Sequence, residues 1–505
     1  MARISEITGE IAQSDVPGIL LKVILGALIF KLVLAVILPL GVDEAYAVAV
    51  SREYSLSFFD HPPISFWMPV IFADLSGLED KLIYRLPFLI AGVATTAVMY
   101  LTGRELGGQR AGLWTSLLYA MAPFFLVSAG ILAVPDGTLS LGLAVAGLFL
   151  VKIAKSDGTP PLIWWVWTGL ALAFALGSKY QAAWLPVGVL IYMLASRRGR
   201  RWFLQLGPWI GAAIGLVGLI PVVWWNMHHD WISFSFHSSR ASGGFSLKNI
   251  SFMTLGQALF LLPPTLIVAV LALVQAFRRP IRDERLLLAL VALGPLVFFG
   301  YVYLVSNRSH AHWTMPGWQF AFPLAGLWLA ECSASLARRF LAWSAGFLVL
   351  IWLPLMALVI HADTGFLTRW FYDRPPDWDY TLSMFDYGDL RHQLEARGLW
   401  NETDLFMAES WAPAGNLDTA LQGIKPMRIF HAGGAHHFAF LSDAHATGRA
   451  LFMQPGVFRN AETTDAALLE QAKTLDANAE LLAPIILKRG GQDYVRISLV
   501  RLNID

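Results

Sequence analysis

Long apolar runs alternate with short polar breaks along most of the chain. The runs fall at about 17–40, 82–103, 111–131, 138–154, 161–177, 181–195, 205–226, 252–277, 286–305, 314–331 and 340–361. Most approach the length a helix needs to cross roughly 30 Å of hydrocarbon; the fifth and sixth are short. The pattern predicts an α-helical polytopic membrane protein with about eleven transmembrane helices. The N-terminal "MARISEITGEIAQSDVPG" lacks a basic segment and a cleavage motif, so the first run reads as a retained helix, not a signal peptide.

After residue 361 the pattern changes. "DRPPDWDY" (373–380) is a Pro-rich aromatic linker, and helix-like and strand-like pieces then alternate, among them "GDLRHQLEARG", "DLFMAES", "NLDTALQG", "MRIFHAG", "RALFMQPG" and "YVRISLVRL". Two domains are expected: residues 1–361 in the membrane, with a long outward loop at 41–81, and residues 362–505 as a small soluble α/β domain. Within it, "ALLEQAKTLDANAELL" is expected to be a helix packed on one face. No internal repeat of the transporter kind is visible.

Composition agrees with this picture. Of 505 residues, 56% are hydrophobic and 14% charged, with 20 Trp and a mean hydropathy of +0.55. Soluble domains are nearer a quarter charged. A net charge of +1 gives no basic field for nucleic acid. Cys332 is the single cysteine, so no intrachain disulfide can form.

Charge decides the orientation. Alternate loops carry "GRELGGQR" (103–110), "KIAKSDG" (152–158), "SRRGRR" (196–201), "RRPIRDER" (278–285) and "ARRF" (337–340), which are expected on the cytoplasmic side. The opposite loops, 41–81, 132–137, 178–180, 227–251 and 306–313, then face outward. With an odd helix count the N-terminus is cytoplasmic and the C-terminal domain periplasmic. Lys22 can snorkel to the cytoplasmic surface, whereas Lys31 lies nearer mid-membrane and is expected to face the bundle interior.

The outward loops hold the candidate chemistry. "DEAYAVAVSREYSLS" has helical composition, with Asp43 placed to cap its start and Glu44 in the first turn. These residues suit an ordinary capped interfacial helix and a catalytic carboxylate equally. In the second reading Asp43 is a general base, partly desolvated at an apolar boundary. "FFDHPPISFW" (58–67) is a rigid turn, because two prolines fix φ and restrict His61. A helix starting at Pro62 or Pro63 would aim N–H groups outward beside His61, an end that suits a phosphate.

The remaining outward loops add single residues. Asp136 in "LAVPDGTLS" (132–140) fits a turn residue or a site residue. Lys179 and Tyr180 stand between apolar runs in "LAFALGSKYQAAWLP" (172–186), where a lysine either snorkels or binds a lipid phosphate. "PVVWWNMHHDWISFSFHSSRASGG" (221–244) supplies Asn226, His228, His229, Asp230, Trp231, His237 and Arg240. Adjacent histidines point apart on regular structure, so a metal site there is disfavoured; the aromatics suit an apolar tail or sugar ring, and Arg240 suits an anion. "SNRSHAHWTMPGW" (306–318) adds Arg308, His310 and His312. Each of these also fits an interfacial anchor. No cofactor is indicated, and a divalent metal is neither called for nor excluded. Collectively the ionisable groups gather on one side of the membrane beside helix ends, which favours surface chemistry on a lipid-linked substrate over transport.

These motifs, in this order, resemble a known family. "DEAY", then "DHPPISFW", then "RLP" at Arg85–Pro87, "GLALAFALGSKY", "VVWWNMHHDWISFSFHSSR" and "HAHWTMPGW" are similar to segments of the bacterial polyprenyl-phosphate-sugar-dependent glycosyltransferases. Those are GT-C integral membrane enzymes that include protein mannosyltransferases and the aminoarabinose transferase of lipid A. The likeness spans about residues 15–325. It implies the GT-C fold and an inverting transfer of one sugar from a polyprenyl phosphate to an envelope acceptor, such as lipid A or lipopolysaccharide core, on the periplasmic face of the inner membrane.

The resemblance also implies roles. Asp43 would be the base, with Glu44 orienting it or the acceptor. Lys179, Arg240, Arg85 and Arg308 would neutralise the donor phosphate. His61, Asp136, Tyr180, Asn226, Trp231 and His312 would contact sugar or acceptor. Relatives acting on lipid A often have a lysine before the two prolines, where this chain has His61; that shifts phosphate binding toward Lys179 and Arg240. Three other expectations compete: a protein O-mannosyltransferase, a lipid-linked sugar transporter or flippase, and a non-catalytic envelope assembly factor.

Overall fold

The computed structural model describes residues 16–240, 244–278, 280–306, 309–372, 378–457 and 461–504. Every apolar run is helical, though not always one straight rod. The helices that matter here are α1 (Val16–Ile37), α2 (Val42–Ser51), α3 (Pro63–Ser76), α4 (Lys81–Met121), α5 (Asp136–Lys155), α6 (Leu162–Leu176) and α7 (Trp184–Ala195). They continue with α8 (Leu206–Val217), α9 (Ile220–Met227), α10 (Ile232–Arg240), α11 (Leu247–Leu261), α12 (Pro263–Ala276), α13 (Asp283–Val305), α14 (Met315–Glu331) and α15 (Ala334–Thr364).

Among the described residues, five helices are long and apolar enough to cross a membrane: α1, α4, α5, α13 and α15; the number is seven if two bent pairs each count as one span. Glycine and proline account for the breaks. Helix α4 is interrupted at Gly107 and Gly108, the latter at φ 82, inside the polar loop expected at 103–110. Helices α8 and α9 meet at 46°. The run expected as one span at 252–277 is instead α11 and α12, bent by 100°. Leu262 sits at the corner with φ 70, directly before Pro263 and Pro264, and proline cannot continue the helix that precedes it.

The chain divides into two compact units. The first comprises Met1–Val33, Leu56–Ser65 and Arg85–Trp352; the second comprises Leu34–Ser55, Phe66–Tyr84 and Leu353–Asp505. Thus the C-terminal segment is not a unit by itself: α2, and much of the long loop expected at 41–81, group with it.

The first unit is a helical bundle around one apolar core, with Tyr119, Phe125, Tyr192, Trp202 and Phe322 essentially buried. Close approach is allowed by small residues: a Cβ on Gly169 of α6 would lie 2.5 Å from the carbonyl oxygen of Gly211 in α8. Some buried polar groups are paired across helices. Gln319 accepts from the Ser140 hydroxyl at 2.9 Å and donates to the Ser140 carbonyl at 2.7 Å. Lys31 is 1% exposed and, as expected, faces the interior. A Cβ on Gly92 or Gly130 would stand 2.7 or 2.5 Å from its ammonium, so both glycines shape its niche.

The second unit carries a five-stranded sheet in the order β2-β1-β3-β5-β4, with β1 (Leu405–Ala408), β2 (Met427–Ile429), β3 (Gly448–Val457), β4 (Glu480–Arg489) and β5 (Gln492–Ile504). Strand β1 runs parallel to β2 and β3; β5 is antiparallel to β3 and β4. The β4–β5 turn is Gly490–Gly491, at φ 58 and 77, the pair of left-handed residues that a tight hairpin turn requires. Three helices flank the sheet: α16 (Leu390–Ala396), α17 (Trp411–Ala420) and α18 (Ala461–Lys473). The helix expected across "ALLEQAKTLDANAELL" stops at Lys473, and Glu480–Leu482 open β4 instead. From Glu480 the chain pairs with β5, Leu481 opposite Val500 and Leu482 opposite Leu499, which overrides the helical look of the end of that stretch.

The end of α15 is tied to the β4–β5 hairpin by a buried polar group. Asp379 accepts from Arg489 Nη1 at 3.0 Å and Tyr494 OH at 2.6 Å, and stands 3.4 Å from His361 Nε2. Those hydrogen bonds and the guanidinium hold its carboxyl well below the usual range, against the desolvation that would raise it.

Candidate active site

In the first unit, residues from distant loops converge around one ion pair. Asp136 is the first residue of α5, where a carboxylate meets the positive end of the helix. Lys179 follows the end of α6 in an extended conformation, with its backbone N–H bonded to the Ala175 carbonyl at 2.9 Å. Its ammonium donates to Asp136 Oδ1 at 2.8 Å, and the two side chains are only 11% and 9% exposed. His312 and His61 lie within electrostatic range of the same carboxylate.

The start of α3 is fastened to this pair. Ser65 Oγ donates to the Ser178 carbonyl at 3.0 Å and lies 2.9 Å from Thr138 Oγ1. The helix does begin at Pro63, but its Ile64 N–H is taken by the Gly177 carbonyl at 2.8 Å. The row of outward N–H groups expected beside His61 is therefore partly consumed by the fold. His61 Nδ1 stands 3.1 Å from Asp60 Oδ2.

Helix α10 closes one side. His237 Nε2 is 2.8 Å from the Asp60 carbonyl, and its ring meets Tyr180 edge-on at 5.1 Å and His61 at 6.5 Å. Arg240 lays its guanidinium over Phe236 at 5.1 Å and Trp313 at 5.6 Å. His312 stacks on Phe124 at 6.0 Å and on His310 at 5.5 Å. Burial, then the neighbouring His61 ring, pushes His237 down to about 4. Burial, then Lys179, pushes His312 down to about 3. Both imidazoles are neutral at neutral pH, so the cations here are Lys179 and Arg240.

Several expected contributors have other duties. Asn226 is fully buried: its amide donates to the Val222 carbonyl at 3.0 Å and its Oδ1 accepts from Ser233 N–H at 3.2 Å. It clamps the turn between α9 and α10, in which Asp230 and Trp231 hold φ of 50 and 55, and its full burial disfavours the sugar contact expected of it. Trp231 is 47% exposed against Phe234. His228 and His229 direct Nδ1 back to the Trp224 and Trp225 carbonyls, at 2.8 and 2.7 Å. Arg85 is fully buried at the head of α4, which disfavours the phosphate contact expected of it. Arg308 lies outside the described residues. Among those described, no three His, Cys, Asp or Glu side chains are grouped as a metal requires.

The expected carboxylate pair belongs to the second unit. Helix α2 starts at Val42 with Gly41 as its N-cap, so Asp43 does not cap it. Glu44 does the capping: its Oε2 accepts from Gly41 N–H at 3.0 Å, and its side chain is 1% exposed. That removes Glu44 from direct chemistry. Asp43 is exposed, against the partial desolvation expected for it. Helix α2 is held by α17, where a Cβ on Gly415 would stand 2.7 Å from Tyr46 N. Tyr46, one turn beyond Asp43, packs on Trp411 at 5.2 Å, and its hydroxyl accepts from His437 N–H at 3.2 Å. Arg52, at the other end of α2, pairs with Glu79 at 2.7 Å and Asp418 at 3.2 Å.

Sequence reasoning passed over Asp60 and left His237 without a role. Their signal was proximity in sequence: Asp60 directly precedes His61, and His237 lies one helical turn before Arg240. Trp411 and Asp418 gave no signal, because their partners Tyr46 and Arg52 lie hundreds of positions away.

The fold is that of a polytopic α-helical protein with the architecture of the GT-C glycosyltransferases. ArnT of Cupriavidus metallidurans bound to undecaprenyl phosphate aligns with a TM-score of 0.64 over 96% of this chain and 98% of that one, at 18% identity. The same protein in its apo state aligns at 0.65 with 17% identity. At such identity the likeness is one of fold. Residues 60–225 match the dolichyl-phosphate-mannose-protein mannosyltransferase family model. Lipid A galacturonosyltransferase RgtD of Rhizobium johnstonii is 26% identical over 194 residues, which is 37% of this chain and 39% of that protein. Together these findings make the chain similar in fold to ArnT, and over parts of its sequence to the protein-mannosyltransferase family model and to a lipid A glycosyltransferase.

Proposed function

We propose that the chain is an inverting glycosyltransferase of the bacterial inner membrane, moving one sugar from a polyprenyl phosphate to an envelope acceptor on the periplasmic face. The observation that carries this is the convergence of Lys179, Asp136, His61, His312 and Arg240 around one buried ion pair in the first unit. The undecaprenyl phosphate in the similar ArnT structure supports the donor class. The name of the rhizobial relative supports lipid A or a related glycan as acceptor.

In this reading the acceptor hydroxyl attacks the anomeric carbon while the bond to the phosphate oxygen breaks on the opposite side. The hydroxyl proton passes to Asp43, an exposed carboxylate. The departing polyprenyl phosphate gains negative charge. Lys179 spends one N–H on Asp136 and keeps two for that phosphate, with Arg240 as the second cation. About eleven spans, a cytoplasmic N-terminus and periplasmic placement of residues 362–505 complete the proposal.

The test uses the purified chain in proteoliposomes, with a polyprenyl-phosphate sugar and lipid A supplied on one face. Asp43→Asn should lower transfer roughly 10²–10⁴-fold, the usual worth of a positioned base. Undiminished transfer would remove Asp43 from the reaction. Donor crossing the bilayer without sugar transfer would make the protein a flippase.

A further inference from the structure

The second unit holds a cleft of about 360 Å³ that the residues above do not use. Small-ligand sites commonly span roughly 300–1,000 Å³, so one or two sugar rings match its size. Four chain segments line it: 39–40 at the end of α1, 79–84 before and into α4, 385–388, and 416–422 in and after α17.

Its polar groups are partly committed, and what remains has a clear chemical character. Glu79 is neutralised by Arg52 at 2.7 Å and also accepts from the Tyr84 hydroxyl. Asp80 Oδ1 accepts from Leu82 N–H, and Asp386 Oδ1 from Gly388 N–H, both at 2.8 Å. The second oxygen of each carboxylate takes no hydrogen bond among the described residues, and both side chains are exposed. The Asn416 amide likewise has no hydrogen-bond partner among the described residues. Lys81 is the one cation of the lining, with its ammonium 3.4 Å from the Ile37 carbonyl. Tyr84, Phe385 and Tyr387 supply aromatic surface.

Two uncommitted carboxylates against one ammonium disfavour a phosphate or uronate. They favour a ring that carries hydroxyls and a cationic amine. The carboxylates accept from ammonium and hydroxyl, the amide pairs with neighbouring hydroxyls, and the aromatic rings cover apolar C–H faces. The place is suitable too, because Leu40 in the lining is three residues before Asp43.

We propose that this cleft binds an amino sugar of the acceptor glycan and so presents the acceptor to Asp43. The statement that the ligand is an acceptor rests on the glycosyltransferase reading; the binding chemistry does not.

The experiment is a direct titration of the full chain in detergent micelles, without donor. The probes are a β-1,4-linked glucosamine disaccharide, its neutral N-acetylated form and a digalacturonate. The glucosamine disaccharide should bind tightest and the digalacturonate not at all. Asp80→Asn and Asp386→Asn should each weaken it about tenfold, as loss of a charge-assisted hydrogen bond does. Ala420→Trp fills the cleft without touching a charge and should abolish binding, with the thermal midpoint retained. Equal binding of the digalacturonate, or unchanged binding in all three variants, overturns the proposal. If the wild-type chain transfers no sugar in proteoliposomes while these results hold, the cleft stands as an amino-sugar site and the glycosyltransferase reading falls; intact transfer by Asp43→Asn would overturn only the presentation of the acceptor to Asp43.

Discussion

The Lys179–Asp136 pair can be separated into what it does for the fold and what it does for a substrate. Asp136→Asn leaves an ammonium only 11% exposed with its charge partner gone, and Lys179→Met leaves a carboxylate 9% exposed at the head of α5. Removing one partner of a buried pair costs about 3–5 kcal/mol, whereas replacing both with apolar groups is often neutral. The double variant Asp136→Leu with Lys179→Met should therefore recover most of the stability that either single variant loses. The coupling in a double-mutant cycle should be about 2 kcal/mol or more, far above the ~0.5 kcal/mol expected of independent sites. Thermal midpoints in detergent read the first quantity, and sugar transfer in proteoliposomes reads the second. If Lys179 holds the donor phosphate, the double variant regains its midpoint but remains at least about 10²-fold slow, comparable to losing one strong transition-state donor. Additive midpoints would refute the energetic pairing. Recovery of both stability and transfer would make the pair structural and leave the phosphate to Arg240.

Three further outcomes follow from the same structure. His237 and His312 are held neutral by burial, at about 4 and about 3, while an unfolded histidine titrates near 6.5. The unfolded chain thus binds more protons, and stability should fall as pH drops below about 6.5, by up to about 2 kcal/mol per histidine at pH 5. The thermal midpoint should drop between pH 7.5 and 5, and His312→Phe, which keeps the ring stacked on Phe124, should shrink that drop; an unchanged slope counts against it. Arg489→Met strands the Asp379 carboxylate, 3% exposed, in the second unit, and should cost about 3–5 kcal/mol, read as faster proteolysis within residues 378–504. Asn226→Leu deprives the buried Ser233 N–H of its acceptor and should lower the thermal midpoint by an equivalent of about 1–3 kcal/mol; wild-type stability would show the clamp to be idle.

The comparison of sequence with structure divides along the range of the forces involved. Apolar periodicity and length specify the helices of the membrane part, because a hydrocarbon solvent leaves a long apolar segment little alternative to satisfying its own backbone. Short-range chemistry is equally legible: Pro63 opens α3, Gly107 and Gly108 break α4, and Gly490–Gly491 turns the β4–β5 hairpin. The sequence also singled out Lys31 as an inward-facing charge. It carried a helix past Lys473 to 482, where the chain instead turns into β4, and it overlooked the 100° corner at Leu262.

The candidate site divides in the same way. Residue types at loop positions marked Asp136, Lys179, His312 and Arg240, because ionisable groups beside apolar runs are costly and few. Only the tertiary structure paired Asp136 with Lys179 across 43 positions, assigned the capping work to Glu44 rather than Asp43, and turned Asn226 into a clamp. Which partner a polar side chain finds depends on contacts between segments far apart in the chain, and these are set by how the helices pack. A one-dimensional pattern names the groups that need partners; the packed fold chooses the partners.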